Sequence, residues 1–391
     1  MFQKSLLVLF FAVFLSGCTL TVPGTTPSAG APTKGSIWKS SDAGLTFEVK
    51  STIDEKTTIA KADILSIAYH PNKPGTVYVG SIENGIFKTE NGGEEWTPIS
   101  FPPKKIYSFI LDKNNPDTRM FASGVVGDWG KIFRTDDGGE EWKPVYTEPG
   151  QKISVTALAQ HPTATNIIFA GTSSGTAIKS VDSGETWKNV GQKIDGIISD
   201  VLFDATDPQV TYLVTFGQKV YYSIDQGLNW LDWEAEKQKE PEALQKIANE
   251  RSITGDIDGA ERARKESQSI NARNMKGKMP MSIVVAASDP LRSGVLYVGT
   301  NTGLFKSEDY GKYWTEINII ESAKQFPIRS IAVNPKTSSE IVFVSGKAFY
   351  KSTDGGETWV VTGFDVDRGA SFVSYDPFDS RYLFVGLRNF K

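Results

Sequence analysis

The chain has 391 residues, of which 42 are basic and 46 acidic, for a formal net charge of −4. That near-balance offers a polyphosphate little to pair with, so no nucleic-acid partner is expected. A single cysteine, Cys18, excludes internal disulfides and cysteine-based metal sites. The two histidines, His70 and His161, each precede a proline at equivalent places and read as loop residues, so no metal or other cofactor is expected.

In chain order, Lys4 and the apolar run at residues 6–15 predict a signal peptide over 1–17, too short for a comfortable membrane span. The run ends Leu15-Ser16-Gly17-Cys18, which resembles the bacterial lipobox. That resemblance implies cleavage before Cys18 and lipidation of its thiol and new amino group. The expected location is the cell envelope, lipid-anchored to a bacterial membrane on its outer side, and to the outer membrane where the cell has one. Residues 18–34, rich in Thr, Pro, Gly, Ser and Ala, read as a flexible tether.

From residue 35 the chain repeats one phrase: an aromatic or aliphatic residue, usually a base, Ser or Thr, any residue, Asp, any residue, Gly, two more, then Trp. It is clearest at Phe349-Tyr350-Lys351-Ser352-Thr353-Asp354-Gly355-Gly356-Glu357-Thr358-Trp359. Its acidic or amide position falls at Asp42, Asn91, Asp137, Asp182, Asp225, Asp309 and Asp354, spaced by 49, 46, 45, 43, 84 and 45 residues. A period near 45 with strand-like units predicts an all-β chain folded as a β-propeller. The same residue type recurs in every unit whereas an active site is built once, so these side chains are expected to brace turns. The phrase resembles the Asp-box, or BNR repeat, of sialidases, sortilin-type receptors and photosystem II assembly factors.

Each phrase except the first follows two apolar strands around a turn, as at Leu65-Ser66-Ile67-Ala68-Tyr69-His70-Pro71 and Val77-Tyr78-Val79-Gly80. A unit is therefore four antiparallel strands, A to D. The first unit has only C and D and the last only A and B, so residues 36–49 are expected to complete the sheet begun by 370–386. Residues 35–391 then make a seven-bladed propeller closed by its N- and C-terminal strands. The long gap holds residues 231–280, whose Glu, Lys, Gln, Ala and Arg favour helix over 234–249 and 260–273, with a turn at 254–259.

The Asp-box turns and the A–B turns share one face of such a ring, and the B–C and D–A loops share the other. Recognition is expected on that second, more variable face. Candidates there are Trp129, Trp233 at the start of the insertion, and the inner-strand residues Asp200 and Arg329. Lys104, Lys105, Arg368 and Arg388 add scattered positive charge. The whole-chain resemblance to the photosystem II assembly and stability factors implies a non-catalytic, monomeric, membrane-anchored module presenting this face to a protein or glycan. The alternative is a glycoside hydrolase of the Asp-box type. Sialidases need an Arg-Ile-Pro phrase, which Phe326-Pro327-Ile328-Arg329 does not supply, and xyloglucan-active enzymes use two propellers where this chain has room for one.

Overall fold

The computed structural model describes residues 35–390 other than Lys104. The expected signal peptide, Cys18 with its tether, and Lys104 lie outside the described residues. Seven antiparallel sheets form seven blades. Their innermost strands are Ile64–Tyr69, Ser108–Leu111, Val155–Gln160, Ile198–Phe203, Ile283–Ser288, Ile328–Asn334 and Gly369–Tyr375, in blades one to seven. All but the second carry a β-bulge near the start, which bends the strand where it lines the centre.

Blade seven is built from both ends of the repeat region. Ile37–Ser40 pairs with Leu383–Arg388 in the register Ile37 opposite Gly386 and Ser40 opposite Leu383, and Glu48–Val49 forms the outer edge. This is the closure expected from the complementary half-units. The second strands of blades one, three, four and five are buried along their whole length, as at Val77–Ser81 and Leu296–Thr300. The apolar clusters lie between blades: Phe384 and Ile37 of blade seven pack with Ile64 and Val79 of blade one. Each blade buries both faces against its neighbours, and only D strands are left at the rim.

The Asp-box turns share one hydrogen-bond plan. In blade six the Ser352 hydroxyl donates to Asp354 Oδ1 at 2.7 Å and accepts the Gly356 N–H at 2.8 Å, while Asp354 Oδ1 accepts the Thr358 N–H at 2.9 Å. Blade one replaces the acid with Asn91, whose amide oxygen accepts from Thr89 and from the Glu95 N–H at 2.9 and 3.0 Å. Only an acceptor is required, so Asn serves. The second residue of the turn pair sits at positive φ, 101° at Gly356, where a side chain would be strained. The Thr186 hydroxyl and N–H hold the Asp182 carboxyl down at about 2. These carboxylates are consumed by their own turns.

Neighbouring box turns are also tied together. Lys39, Lys179 and Lys351 each reach the next blade's box turn, donating to the carbonyls of Gly92, Gln226 and Ala43 at 2.7, 3.1 and 2.7 Å. Box tryptophans bind backward: the Nε1 of Trp96, Trp142 and Trp359 donates to Lys50, Ser100 and Asn318 of the preceding blade. The A–B turns are capped at one shared position. His70 Nδ1 accepts the Asn72 N–H, His161 Nδ1 the Ala164 N–H, and Asp112 the Asn114 N–H. Both histidines are buried turn residues.

Blade four departs from the plan. Its sheet has three strands, and the fourth is reduced to a single bridge between Leu231 and Tyr222. The chain then enters helix α1, Trp233–Ile253, capped by Asp232, and returns along α2, Ile257–Lys276, capped by Asp256. Both helices run longer than the sequence suggests, and α1 continues through Pro241. A proline there leaves the carbonyl four residues back without its donor. The Asn274 side chain of α2 supplies one, donating to the Lys237 carbonyl at 2.7 Å. Small residues, Ala248, Ala260 and Ala263, let the two helices approach closely.

Candidate binding face

The sequence groups Trp129 and Trp233 on one face, but the structure separates them. Trp129 opens the C strand of a hairpin in blade two whose arms, Met120–Val126 and Trp129–Thr135, are longer than the corresponding arms of blade one. It lies half-buried on the B–C side, as expected. Trp233 is on the other side. Its indole N–H donates to the carbonyl of Tyr310 in the Asp-box turn of blade five at 3.0 Å, and its ring stacks on Tyr222 at 5.4 Å. The reason is topological: the insertion replaces a D strand, which begins at the box turn, and not the D–A connection that follows it.

Arg368 does not add to the positive charge of the loop face as the sequence predicts, because only 6 % of it is exposed. Its guanidinium donates to the carbonyls of Gly35, Ala60 and Ala62 and lies 3.5 Å from Asp63. This arginine joins the terminal strands to blade one and offers nothing to a ligand. Lys105 is exposed on the segment leading into blade two, with no recorded contact to the other candidates.

Asp200 belongs to a blade-to-blade joint. By register it occupies the place of Ser108 in blade two and Ser330 in blade six. Those hydroxyls reach the next blade: Ser108 accepts the Leu158 N–H at 3.1 Å, and Ser330 donates to the Val373 carbonyl at 3.3 Å. The Asp200 carboxylate accepts only the N–H of Val201, at 2.8 Å. Its solvent-accessible surface makes it half-buried, but protein crowds the carboxyl closely enough for burial to push it up to about 7. A narrow opening wets a carboxylate's edge without restoring bulk hydration, so the crowding prevails.

Arg329 and Arg388 do come together. Arg329 follows the first residue of its A strand, and Arg388 ends its B strand opposite Gly369, so both sit at the loop-face mouth of the central channel. Their guanidinium carbons lie 4.2 and 5.2 Å from the centroid of the Phe390 ring. Burial and the neighbouring Arg388 charge lower the Arg329 value. Among the described residues neither arginine forms an ion pair, and the buried Nε of Arg388 has no hydrogen-bond acceptor. Two like charges, partly desolvated and uncompensated, are costly to hold without an anion. Phe390, 39 % exposed, and Phe326, 52 % exposed, add apolar surface in the same sector. Neither phenylalanine was singled out from sequence. The available signal for Phe390 was its place two residues after Arg388, at the end of an apolar strand.

Among the described residues no group of three or more His, Cys, Asp or Glu is placed to hold a metal ion. The seven innermost strands contain one carboxylate, Asp200.

No family model matches the chain, and no curated protein matches it. Solved structures do. The GH74 xyloglucanase of Xanthomonas campestris matches with a TM-score of 0.59 at 16% identity, over 84% of this chain and 51% of that one. A structure described as YCF48 bound to D1 peptide matches with a TM-score of 0.56 at 15% identity, over 84% of this chain and 93% of that one. YCF48 from Cyanidioschyzon merolae matches at 0.54 and 14% identity, over 83% and 95%. The likeness is one of fold. The chain spans about half the length of the xyloglucanases, at 51% of the first, and most of the length of the YCF48 chains.

Proposed function

We propose that this propeller is a non-catalytic binding module that receives an acidic segment of a partner protein at the loop-face mouth of its channel. The observation that carries the reading is the pair Arg329 and Arg388 around Phe390, which has no acidic partner among the described residues. Guanidiniums bind carboxylates in planar, two-pronged geometry, and a phenylalanine face between them holds an aliphatic or aromatic neighbour of the acid. The peptide recorded with a propeller of the same fold supports the substrate class. In this reading a lipid on Cys18 tethers the module to a bacterial envelope membrane.

Replacing both arginines with alanine is expected to weaken an acidic peptide by on the order of 2 kcal/mol or more, roughly thirtyfold. Fluorescence anisotropy with Glu-rich and Lys-rich labelled peptides reads this, and the Glu-rich affinity should fall as salt rises. Equal affinity in wild type and the double variant removes this site from the function. Trp129→Ala serves as a second arm: a loss there extends the contact surface to blade two. Anchoring is separate. A Cys18→Ala protein should leave the membrane fraction or remain unprocessed, and wild-type partitioning would point to another anchor.

The hydrolase reading rests on Asp200, whose value near neutrality suits a general acid. Glycoside hydrolysis needs a second carboxyl about 5–9.5 Å away. The inner strands provide none among the described residues. Release of reducing ends from neutral polysaccharide, abolished by Asp200→Asn, would reverse the preference.

A further inference from the structure

The insertion creates a cavity that the repeats alone do not make. It measures about 240 Å³ and lies where the root of α1 and the end of α2 meet the Asp-box turn of blade five. Its floor is a closed polar network. Lys237, 5 % exposed, pairs with Glu234 and lies 5.1 Å from the centre of the Tyr313 ring. Asn274, 4 % exposed, accepts the Tyr313 hydroxyl at 3.1 Å while donating to the Lys237 carbonyl. With every floor group paired, the walls are held in one geometry before anything binds.

The groups around the opening are different. Trp233 and Tyr313 present aromatic rings, and the Lys312 ammonium lies 5.6 Å from the centre of each. Glu236 is matched by Lys239 at 2.6 Å. Among the described residues the side chains of Lys312, Arg273 and Glu240 form no ion pair or hydrogen bond, although all three line the same cavity. The unmatched charge is two cations against one carboxylate.

The geometry points to this cavity as a binding site for a single acidic sugar residue, a hexuronate, borne on a glycan. Its carboxylate meets Lys312 and Arg273. Its vicinal hydroxyls donate to Glu240 and Glu236, and its C–H face packs on the aromatic wall. The volume is below that of pockets for drug-sized ligands, which suits one ring at a chain end or side branch. A neutral sugar forgoes both cations, and a simple carboxylate forgoes the ring contacts. The site is independent of the channel mouth, on the opposite side of the ring from Arg329 and Arg388.

Titration of the full chain with D-glucuronate, D-glucose and acetate, followed by isothermal calorimetry and tryptophan fluorescence, tests it. Saturable, roughly millimolar binding of glucuronate is expected, with glucose and acetate at least about tenfold weaker. Arg273→Ala and Lys312→Gln should each weaken glucuronate by about tenfold, and Arg329→Ala should leave it unchanged. Arg273 is exposed, so its variant tests the site without threatening the fold. Absence of saturable glucuronate binding, equal binding of glucose, or wild-type affinity in both cavity variants overturns the assignment. Acidic-peptide binding measured on the same samples reports the channel mouth, so failure of one site is read apart from failure of the other.

Discussion

Replacing Arg368 with methionine is expected to destabilise the ring by on the order of 3–5 kcal/mol, the range found when one partner of a buried charged network is removed. The methionine stem fills much of the same volume, so the loss isolates the guanidinium. Its removal leaves the carbonyls of Gly35, Ala60 and Ala62 without their donor inside the protein. Because those carbonyls belong to the N-terminal strand region and to the approach to blade one, the damage falls on ring closure. Chemical denaturation should show a lower midpoint. Proteolysis at low denaturant should cut first near residues 35–63. A stability within about 0.5 kcal/mol of wild type would mean that solvent satisfies the freed carbonyls and Asp63.

The second large effect concerns Asp200 and has a definite pH window. The ordinary aspartate value is 3.8, and burial pushes this one up to about 7. Between those values the folded protein keeps a proton that the unfolded chain has released. Stability therefore falls as pH rises through that interval and levels off above 7. Three units correspond to about 4 kcal/mol at most, and the partial exposure of the residue brings this to on the order of 2–4 kcal/mol. The protonated carboxyl also has a hydrogen to offer the next blade, as Ser330 does to Val373. Asp200→Asn should match wild type in thermal unfolding at pH 4 and exceed it at pH 8. A difference between variant and wild type that stays the same at both values would show that folding leaves the Asp200 carboxyl at its ordinary value.

The sequence was most informative where a local interaction recurs. Seven copies of Ser or Thr, Asp or Asn, Gly and Trp, with Phe47 for Trp in the first, are seven copies of one turn, and Asn91 was recognisable because the turn asks only for an acceptor. The half-units at either end predicted the pairing of Ile37–Ser40 with Leu383–Arg388. What could not be read was direction across the ring. Arg368 and Arg388 look alike in sequence, but one points into the joint beside blade one and the other into the channel mouth. Trp233 was placed on the wrong side because nothing in its neighbours shows that α1 replaces a strand. The clue was present at Tyr222. It stands where other boxes carry the basic residue that clamps the next turn, and its aromatic stack with Trp233 and Tyr310 takes over that clamp.

The split blade also sets an order of events in time. Ile37–Ser40 emerges first of the described strands and must wait for Leu383–Arg388, which emerges last. At ordinary rates of synthesis that wait is roughly 17–70 s. Throughout it, blade one has no neighbour for Ile64 and Val79, whose partners Phe372 and Phe384 have not yet been made. The nascent chain is thus committed to a late, all-at-once final step. Its yield should depend on what shields blade one in the interval more than on the stability of the finished ring.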